Sequence, residues 1–207
     1  MRPRIKICGL TRPEDAKICS DLGVDAIGLM FYAGSKRHVT LEQACAVVSP
    51  LAPFVARVGV FVNPAAGEVR EAVARCGLSA VQLHGEETPE FCRQFAGLNI
   101  IKAFRVRDRT VLENLPHFQI SAWLLDAHVE GAHGGTGARF DWDIAAEATA
   151  LGKPVILAGG MNPDNVADAV RRVRPYGVDV SSGVESAPGL KDVRKIEAFL
   201  KAVSSAG

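Results

Sequence analysis

A cysteine directly follows a short run of strand-forming residues near the start of the chain. Ile5, Lys6 and Ile7 lead into Cys8, and Gly9 then breaks the run. Because side chains alternate between the two faces of a strand, Lys6 and Cys8 share one face and the isoleucines share the other. The thiolate form of cysteine is the reactive one. We therefore interpret Cys8 as a candidate catalytic base at the end of a strand.

The same alternation collects further polar side chains at strand ends. A lone histidine at a strand end is usually just hydrogen-bonded, and a lone aspartate often caps the next helix, so each residue alone says little. Their convergence with Cys8 on the carboxyl ends of several strands favours an active site. These residues are Gln82, His84, Asp126, Asp179 and Ser181.

The elements that would position these residues follow a repeating pattern of a β-branched run, a turn and an amphipathic segment. Eight such units in 207 residues predict one (β/α)₈ barrel spanning residues 1–207, whose carboxyl-terminal rim carries the active site. A doubly wound open sheet is the alternative. Regular spacing of the units, and the lack of a G-x-G-x-x-G turn after the first strand, favour the barrel. The strand runs end near Cys8, Phe31, Val62, His84, Phe104, Asp126, Gly159 and Ser182.

Helix starts are predicted from capping residues. Thr11 with Glu14, and Thr40 with Gln43, have the spacing of a capping box. Three further starts are predicted where a capping residue precedes proline, at Asn63, Thr88 and Asn162. Cys19, Cys45, Cys76 and Cys92 all fall within the helical segments, which indicates small core residues rather than reactive thiols.

Two turns suit a phosphate group. Gly159 and Gly160 follow the seventh strand, and Ser181, Ser182 and Gly183 follow the eighth. Barrels bind phosphate at this position through backbone N–H groups. The alternative is that these glycines only allow tight turns. A third glycine-rich stretch, 134–137, is interpreted as a loop that closes on a ligand.

The loop after the second strand is basic, with Lys36, Arg37 and His38 in succession. The planar fork of Arg37 suits a carboxylate better than the point charge of Lys36 does. A solvated surface loop is the other interpretation. We expect Arg37 to bind substrate, together with Gln82, His84 and Asp179.

Composition limits the class of protein. Hydrophobic residues make up 48% of the chain, and 24 Lys and Arg balance 23 Asp and Glu. This balance gives no electrostatic case for nucleic acid or an anionic membrane as a partner, and no apolar run is long enough to cross a bilayer. Five cysteines with no C-x-x-C argue against a disulfide framework or a thiol metal site and suggest the cytoplasm.

Several motifs in fixed order resemble one enzyme family. KICGLT, SKRHV, VGVF, QLHG, GGTG with FDW, LAGGMNPDNV and VDVSSGVES with GLKD together resemble phosphoribosylanthranilate isomerase of tryptophan biosynthesis, from Lys6 to about Asp192. The resemblance implies a (β/α)₈ barrel that converts N-(5-phosphoribosyl)anthranilate to 1-(2-carboxyphenylamino)-1-deoxyribulose 5-phosphate without a metal or cofactor. The chain departs from the family at Lys36, where a proline is common, which puts the rigidity of that loop in doubt.

The resemblance also implies roles for the candidate residues. Cys8 resembles the general base, Asp126 the general acid and Arg37 the residue that binds the anthranilate carboxylate. The turns at Gly159 with Gly160, and at Ser181, Ser182 and Gly183, resemble the phosphate site. Whether the protein is a monomer or a homodimer stays open.

Two other functions are weighed against this one. Indole-glycerol-phosphate synthase would use lysine and glutamate at strand ends, with Lys102 as the possible lysine, but the first strand ends in a thiol. A barrel that binds a sugar phosphate without turnover is the second alternative, and the presence of both Cys8 and Asp126 argues against it. Finally, alternation predicts that Lys6 and Asp179 form a buried ion pair between the first and last strands.

Overall fold

Eight parallel strands close into a barrel in the computed structural model, which describes residues 2–126 and 142–206. Each strand pairs with the next along the chain, and β1 pairs with β8 to close the ring. This confirms the predicted (β/α)₈ barrel. The strands are β1 Arg4–Cys8, β2 Ala26–Met30, β3 Ala56–Phe61, β4 Ala80–Leu83, β5 Ile100–Arg105, β6 Ala122–Asp126, β7 Val155–Ala158 and β8 Gly177–Val180.

Helices surround the barrel and connect successive strands. They are α1 Pro13–Asp21, α2 Leu41–Val48, α3 Ala66–Cys76, α4 Pro89–Arg93, α5 Val111–Asn114, α6 Trp142–Thr149, α7 Val166–Val173 and α8 Val193–Ser204. A small antiparallel hairpin, β9 Glu185–Ala187 and β10 Leu190–Lys191, follows β8. Among the described residues, no helix is long and apolar enough to cross a membrane.

The barrel divides the apolar residues into two cores, as strand alternation requires. A large core between barrel and helices contains residues such as Ile5, Ile7 and Leu83. A smaller core inside the barrel contains Val58, Ile101, Ala103, Ala122, Leu124, Ile156 and Ala158. Residues on the inner face of the strands therefore point toward the barrel axis and, at the carboxyl ends, toward the rim.

Some predicted helix caps are confirmed. Thr40 and Gln43 form a reciprocal capping box at α2, and the Thr88 side chain accepts a hydrogen bond from the Phe91 amide at α4. The prediction of a Thr11 capping box was wrong, because α1 starts at Pro13 and the Thr11 hydroxyl donates to the Gly189 carbonyl instead, 2.8 Å away.

Two other predicted starts were also wrong. The helix after Asn63 begins at Ala66, and the helix after Asn162 begins at Val166. The Asn63 side chain accepts from the Glu86 amide in the next loop, and the Asn162 side chain closes a turn ahead of the helix. At Asn63 and Asn162, unlike at Thr88, the capping residue followed by proline lies in a turn, and the helix begins after that turn.

The four helical cysteines lie where the pattern predicted, and Cys19, Cys76 and Cys92 are buried in the large core. Cys45 is only partly buried, and its sulfur lies 3.1 Å from that of Cys76. Burial raises the pKa of the Cys19 thiol to about 12, with Lys191 acting in the opposite direction. The Cys19 thiol is therefore a protonated packing group near neutral pH.

Candidate active site

The barrel brings the predicted polar residues to one rim. Cys8 ends β1, Asp126 ends β6 and His84 directly follows β4. Strand alternation aims all three toward the barrel axis, because they share their faces with the inner core residues of their own or neighbouring strands. The carboxyl-terminal rim therefore presents a thiol, a carboxyl group and an imidazole to the same opening.

The Cys8 thiol is packed against β2 at a position that only glycine allows. A Cβ atom on Gly28 would lie 2.7 Å from the Cys8 sulfur and 3.2 Å from Cε of Lys6. Burial raises the pKa of the Cys8 thiol above its ordinary value, while the Lys6 ammonium beside it acts to lower that pKa. We expected the neighbouring cation to lower the pKa of Cys8, but burial outweighs it.

Lys6 and Asp179 form the predicted ion pair across the closing seam of the barrel. The two residues are direct partners in the β1–β8 register, and Lys6 Nζ lies 2.9 Å from Asp179 Oδ1. Their side chains are only 5% and 9% exposed. For the Lys6 ammonium, burial alone would lower the pKa, but Asp179 and Cys8 outweigh it and raise the pKa. Asp179 thus has a buried partner directly beneath Cys8.

His84 connects Gln82 to Asp126. The amide nitrogen of Gln82 lies 2.9 Å from His84 Nδ1, and His84 Nε2 lies 3.1 Å from Asp126 Oδ2. Gln82 is 1% exposed, and its Oε1 has no hydrogen-bond partner within the described part of the chain. These three residues therefore form one hydrogen-bonded row from the barrel interior to the rim.

Arg37 is held by a residue that the sequence analysis did not single out. Its Nε and Nη2 donate to the two carboxylate oxygens of Glu185, at 2.8 and 2.5 Å. Glu185 also accepts from the buried Lys191 ammonium at 2.7 Å. Glu185 belongs to the motif VDVSSGVES and Lys191 to the motif GLKD, which were noted only because they resemble those of the enzyme family. Glu185 and Lys191 carry opposite charges on the two strands of the small hairpin, and these charges were the signal in the sequence that could have identified them.

The turns after β7 and β8 touch each other. A Cβ atom on Gly183 would lie 2.0 Å from the Met161 carbonyl oxygen, so only glycine fits there. Gly159 and Gly160 have positive φ angles of 87° and 66°, and the Asn165 side chain donates to the Gly160 carbonyl at 3.0 Å. A short 3₁₀ turn, Ser182–Val184, follows Ser181. The two turns form one continuous backbone surface at the rim, and Asn165 supports it without having been predicted.

Lys102 cannot serve the alternative reaction considered above. Its neighbours in β5, Ile101 and Ala103, belong to the inner core, so Lys102 points outward. There it pairs with the buried Glu87 at 3.0 Å and donates to the Gly85 carbonyl at 2.7 Å. The predicted closing loop at 134–137 lies outside the described residues.

Comparison with known proteins agrees with this arrangement. The family model for N-(5'-phosphoribosyl)anthranilate (PRA) isomerase matches residues 5–202. An enzyme of that name from Geobacter metallireducens is 52% identical over 198 residues, which cover 96% of this chain and 97% of the relative.

Two solved structures have the same fold over nearly their whole length. A phosphoribosylanthranilate isomerase in complex with reduced 1-(o-carboxyphenylamino)-1-deoxyribulose 5-phosphate has a TM-score of 0.89 and 40% identity, covering 98% of this chain and 99% of that one. A structure of monomers generated from the dimeric phosphoribosylanthranilate isomerase of Thermotoga maritima has a TM-score of 0.87 and 38% identity, with the same coverage of both chains. The chain therefore belongs to the N-(5'-phosphoribosyl)anthranilate isomerase family.

Proposed function

We propose that this chain isomerises N-(5'-phosphoribosyl)anthranilate to 1-(2-carboxyphenylamino)-1-deoxyribulose 5-phosphate with Cys8 as the general base and Asp126 as the general acid. One observation carries this proposal. Two strands end at the same rim of the barrel, one in a thiol beside an ammonium group and the other in an aspartate that is hydrogen-bonded to a histidine. One acid and one base are what the rearrangement of an aminoaldose to an aminoketose needs.

The proposed steps assign one proton transfer to each residue. Asp126 donates a proton to the ring oxygen of the sugar, so the C1–O bond breaks and the nitrogen lone pair forms an iminium ion. Cys8 as thiolate then removes the C2 proton, the C–H electrons form a C1=C2 double bond, and the π electrons of the C1=N bond return to nitrogen to give an enolamine. Tautomerisation of the enolamine yields the ketone. The iminium accepts the electrons in this scheme, so the two side chains carry both proton transfers.

The row from Gln82 to Asp126 explains how a carboxyl proton can be held. When the Gln82 amide nitrogen donates to His84 Nδ1, the neutral imidazole donates from Nε2 to an ionised Asp126. Turning the Gln82 amide by half a rotation reverses both hydrogen bonds, so that a protonated Asp126 donates to Nε2. The heavy-atom positions are the same in both arrangements, and the second one supplies the acid.

Lys6 has the complementary task at Cys8. A thiol buried without a cation would stay protonated, because burial penalises the thiolate. The Lys6 ammonium stabilises the thiolate as it forms, and Asp179 keeps that ammonium in place at 2.9 Å. Asp179 therefore acts through Lys6 in this proposal, rather than by contact with substrate as first expected.

The two anionic ends of the substrate have separate receptors in the proposal. Arg37 binds the anthranilate carboxylate, and the turns containing Gly159, Gly160 and Gly183 bind the phosphate through backbone N–H groups. Ser181 and Ser182 belong to the same turns. Support comes from the close contact of the two turns and from the positive charge of Arg37 beside the end of β1.

Loss of anthranilate fluorescence on adding phosphoribosylanthranilate tests the function. We expect Cys8→Ser and Asp126→Asn each to lower kcat by about 10²- to 10⁴-fold, the usual contribution of general acid or base catalysis. Cys92→Ala removes a buried thiol of α4 that has no role in the proposed mechanism, so it is the matched control and should keep kcat. Tight binding of the substrate without turnover by the native chain would instead support the non-catalytic sugar-phosphate binder.

We further propose that the protein forms a homodimer through the amino-terminal end of the barrel. Phe54 is 97% exposed there, next to a cavity of about 490 Å³ lined by apolar residues including Val58, Ala80 and Ile101. An exposed aromatic side chain beside an apolar cavity is a self-complementary pair of features across a twofold axis. Sedimentation should give a dimer for the native chain and a monomer for Phe54→Asp. A native monomer would contradict the assembly and leave the catalytic proposal untouched.

A further inference from the structure

We propose that Glu185 and Lys191 are positioning residues that fix the direction and preserve the charge of Arg37, so that its free edge receives the carboxylate of the substrate. The inference rests on the proposed role of Arg37 and assigns a task to two residues beyond it. Neither residue needs to touch the reacting atoms.

The first step of the argument is the geometry of the arginine. A guanidinium group can offer two different edges, one formed by Nε with Nη2 and the other by Nη1 with Nη2. Glu185 occupies the first edge with both of its oxygens, at 2.8 and 2.5 Å. The bidentate contact fixes the plane of the group, and the second edge then points away from Glu185.

The second step is the rigidity of Glu185. Its side chain is 4% exposed, whereas that of Arg37 is 23% exposed, so the carboxylate is the buried anchor of the pair. Burial alone would raise the pKa of Glu185, but Arg37 and Lys191 outweigh it and lower the pKa, so the group is ionised. The Thr11 hydroxyl also donates to the Gly189 carbonyl at 2.8 Å, which ties the hairpin that contains Glu185 to the segment after β1.

The third step is charge. An isolated Arg37–Glu185 pair would be neutral and would attract a carboxylate only weakly. Lys191 adds a second positive charge, and it is 1% exposed. Its three N–H donors match three acceptors: Glu185 Oε1 at 2.7 Å, the Cys8 carbonyl at 2.6 Å and the Ser181 carbonyl at 3.2 Å. The cluster of Arg37, Glu185 and Lys191 therefore has a net charge of +1.

The fourth step is the place of this cluster at the rim. The Arg37 side chain crosses directly over Gly9, where a Cβ atom would lie 2.5 Å from Arg37 Cδ. Lys191 contacts the backbone of Cys8 and of Ser181. The arginine is thus held beside both the proposed base and the start of the proposed phosphate turn, which is where the aromatic end of the substrate must lie.

A purely structural role for the cluster is the competing explanation. Buried ion pairs elsewhere in the protein have such a role, and Lys102 with Glu87 is a close match, at 3.0 Å with exposures of 4% and 2%. That pair contacts no residue of the proposed carboxylate site. It therefore provides the control for loss of stability alone.

The experiment measures the binding of two ligands by calorimetry. One is reduced 1-(o-carboxyphenylamino)-1-deoxyribulose 5-phosphate, and the other is the same compound without the carboxyl group. The ratio of their affinities reports recognition of the carboxylate and cancels general damage to the site. We expect Arg37→Ala to abolish the preference of the native protein and Glu87→Gln to keep it. The double variant Glu185→Gln with Lys191→Met keeps the net charge of the cluster at +1 but frees the guanidinium, so we expect it to lower the preference roughly tenfold, which one charged hydrogen bond is worth.

Two results would overturn the inference in different ways. A full preference in the double variant with none in Arg37→Ala would leave the proposed role of Arg37 intact and remove the positioning role. A full preference in Arg37→Ala would show that the role of Arg37 itself is wrong. The double variant removes both buried charges together, so neither is left buried without its partner and the variant should fold.

Discussion

The ion pair between Lys6 and Asp179 allows a quantitative test of how the barrel closes beneath the active site. Each residue will be replaced by alanine, singly and together. In the native protein the charged atoms are 2.9 Å apart and the side chains are 5% and 9% exposed. Because β1 and β8 are the first and last strands, this contact exists only while the barrel is closed.

The expected magnitudes follow from burial. Removing one partner leaves the other charge buried without compensation, which costs about 3 to 5 kcal/mol of unfolding free energy. Removing both leaves no such charge, so the double variant should lose no more than one single variant, at most about 4 kcal/mol, and clearly less than the sum of about 8. Lys6→Ala should in addition slow catalysis, because the cation beside Cys8 is lost.

Urea unfolding followed by circular dichroism measures these differences, provided the slope with denaturant is unchanged. Lys17 and Asp21 are the matched control, since they are also an ion pair but are both 62% exposed. Removing either should cost less than about 1 kcal/mol. Additive losses in the Lys6 and Asp179 cycle would refute the view that the two charges compensate each other.

Three further outcomes are expected. Gly183→Ala should weaken the binding of inorganic phosphate and lower Tm, because a Cβ would lie 2.0 Å from the Met161 carbonyl; an unchanged phosphate affinity would contradict the turn as phosphate site. The limb of the kcat/KM profile that reports Cys8 should lie above neutrality, since burial raises the pKa of this thiol, and Lys6→Met should move that limb to higher pH. Burial raises the pKa of Cys19 from 9.0 to about 12, so the unfolded chain loses this proton at a lower pH than the folded protein does. The free energy of unfolding should therefore fall above pH 9 by about 1.4 kcal/mol per pH unit. In Cys19→Ala, the free energies measured by urea unfolding should fall less steeply with pH.

Among the patterns in the sequence, strand alternation predicted the positions of side chains most successfully. It predicted that Lys6 and Cys8 share an inner face and that Lys6 meets Asp179, and both follow from one rule once the barrel is assumed to close. The same rule, applied to β5, turns Lys102 outward. Local alternation is decisive here because the inner face of a closed barrel admits few residues.

Helix starts were less predictable because a capping residue has more than one possible partner. Thr11 and Asn63 have the side chains of good caps, but each bonds to a different loop of the folded protein. These partners are 178 and 23 residues away along the chain. The choice between a local and a distant hydrogen-bond partner depends on tertiary structure, which no short window contains.

Glu185 was missed for a related reason. It lies in a strand of three residues that pairs with one of two, too short for a periodic pattern. Its partner Arg37 is 148 residues earlier. Since β8 closes on β1, the segment after β8 must pass over the end of β1, and the loop containing Arg37 lies beside it. A charged residue placed soon after the last strand of a barrel is therefore a candidate partner for residues at the end of the first two strands.

The closing seam also explains why the site tolerates so many buried charges. Lys6 with Asp179 lies below Cys8, and Lys191 with Glu185 lies around its backbone, so the thiol is placed between two cations that are each fixed by a carboxylate. Uncompensated cations would stabilise the thiolate more strongly but could not be buried. Fixed pairs lower the cost of burial and keep both ammonium groups close to Cys8. In the proposed mechanism, Cys8 can therefore still ionise, although burial raises its resting pKa, once the substrate is bound and its C2 proton has become acidic through the iminium.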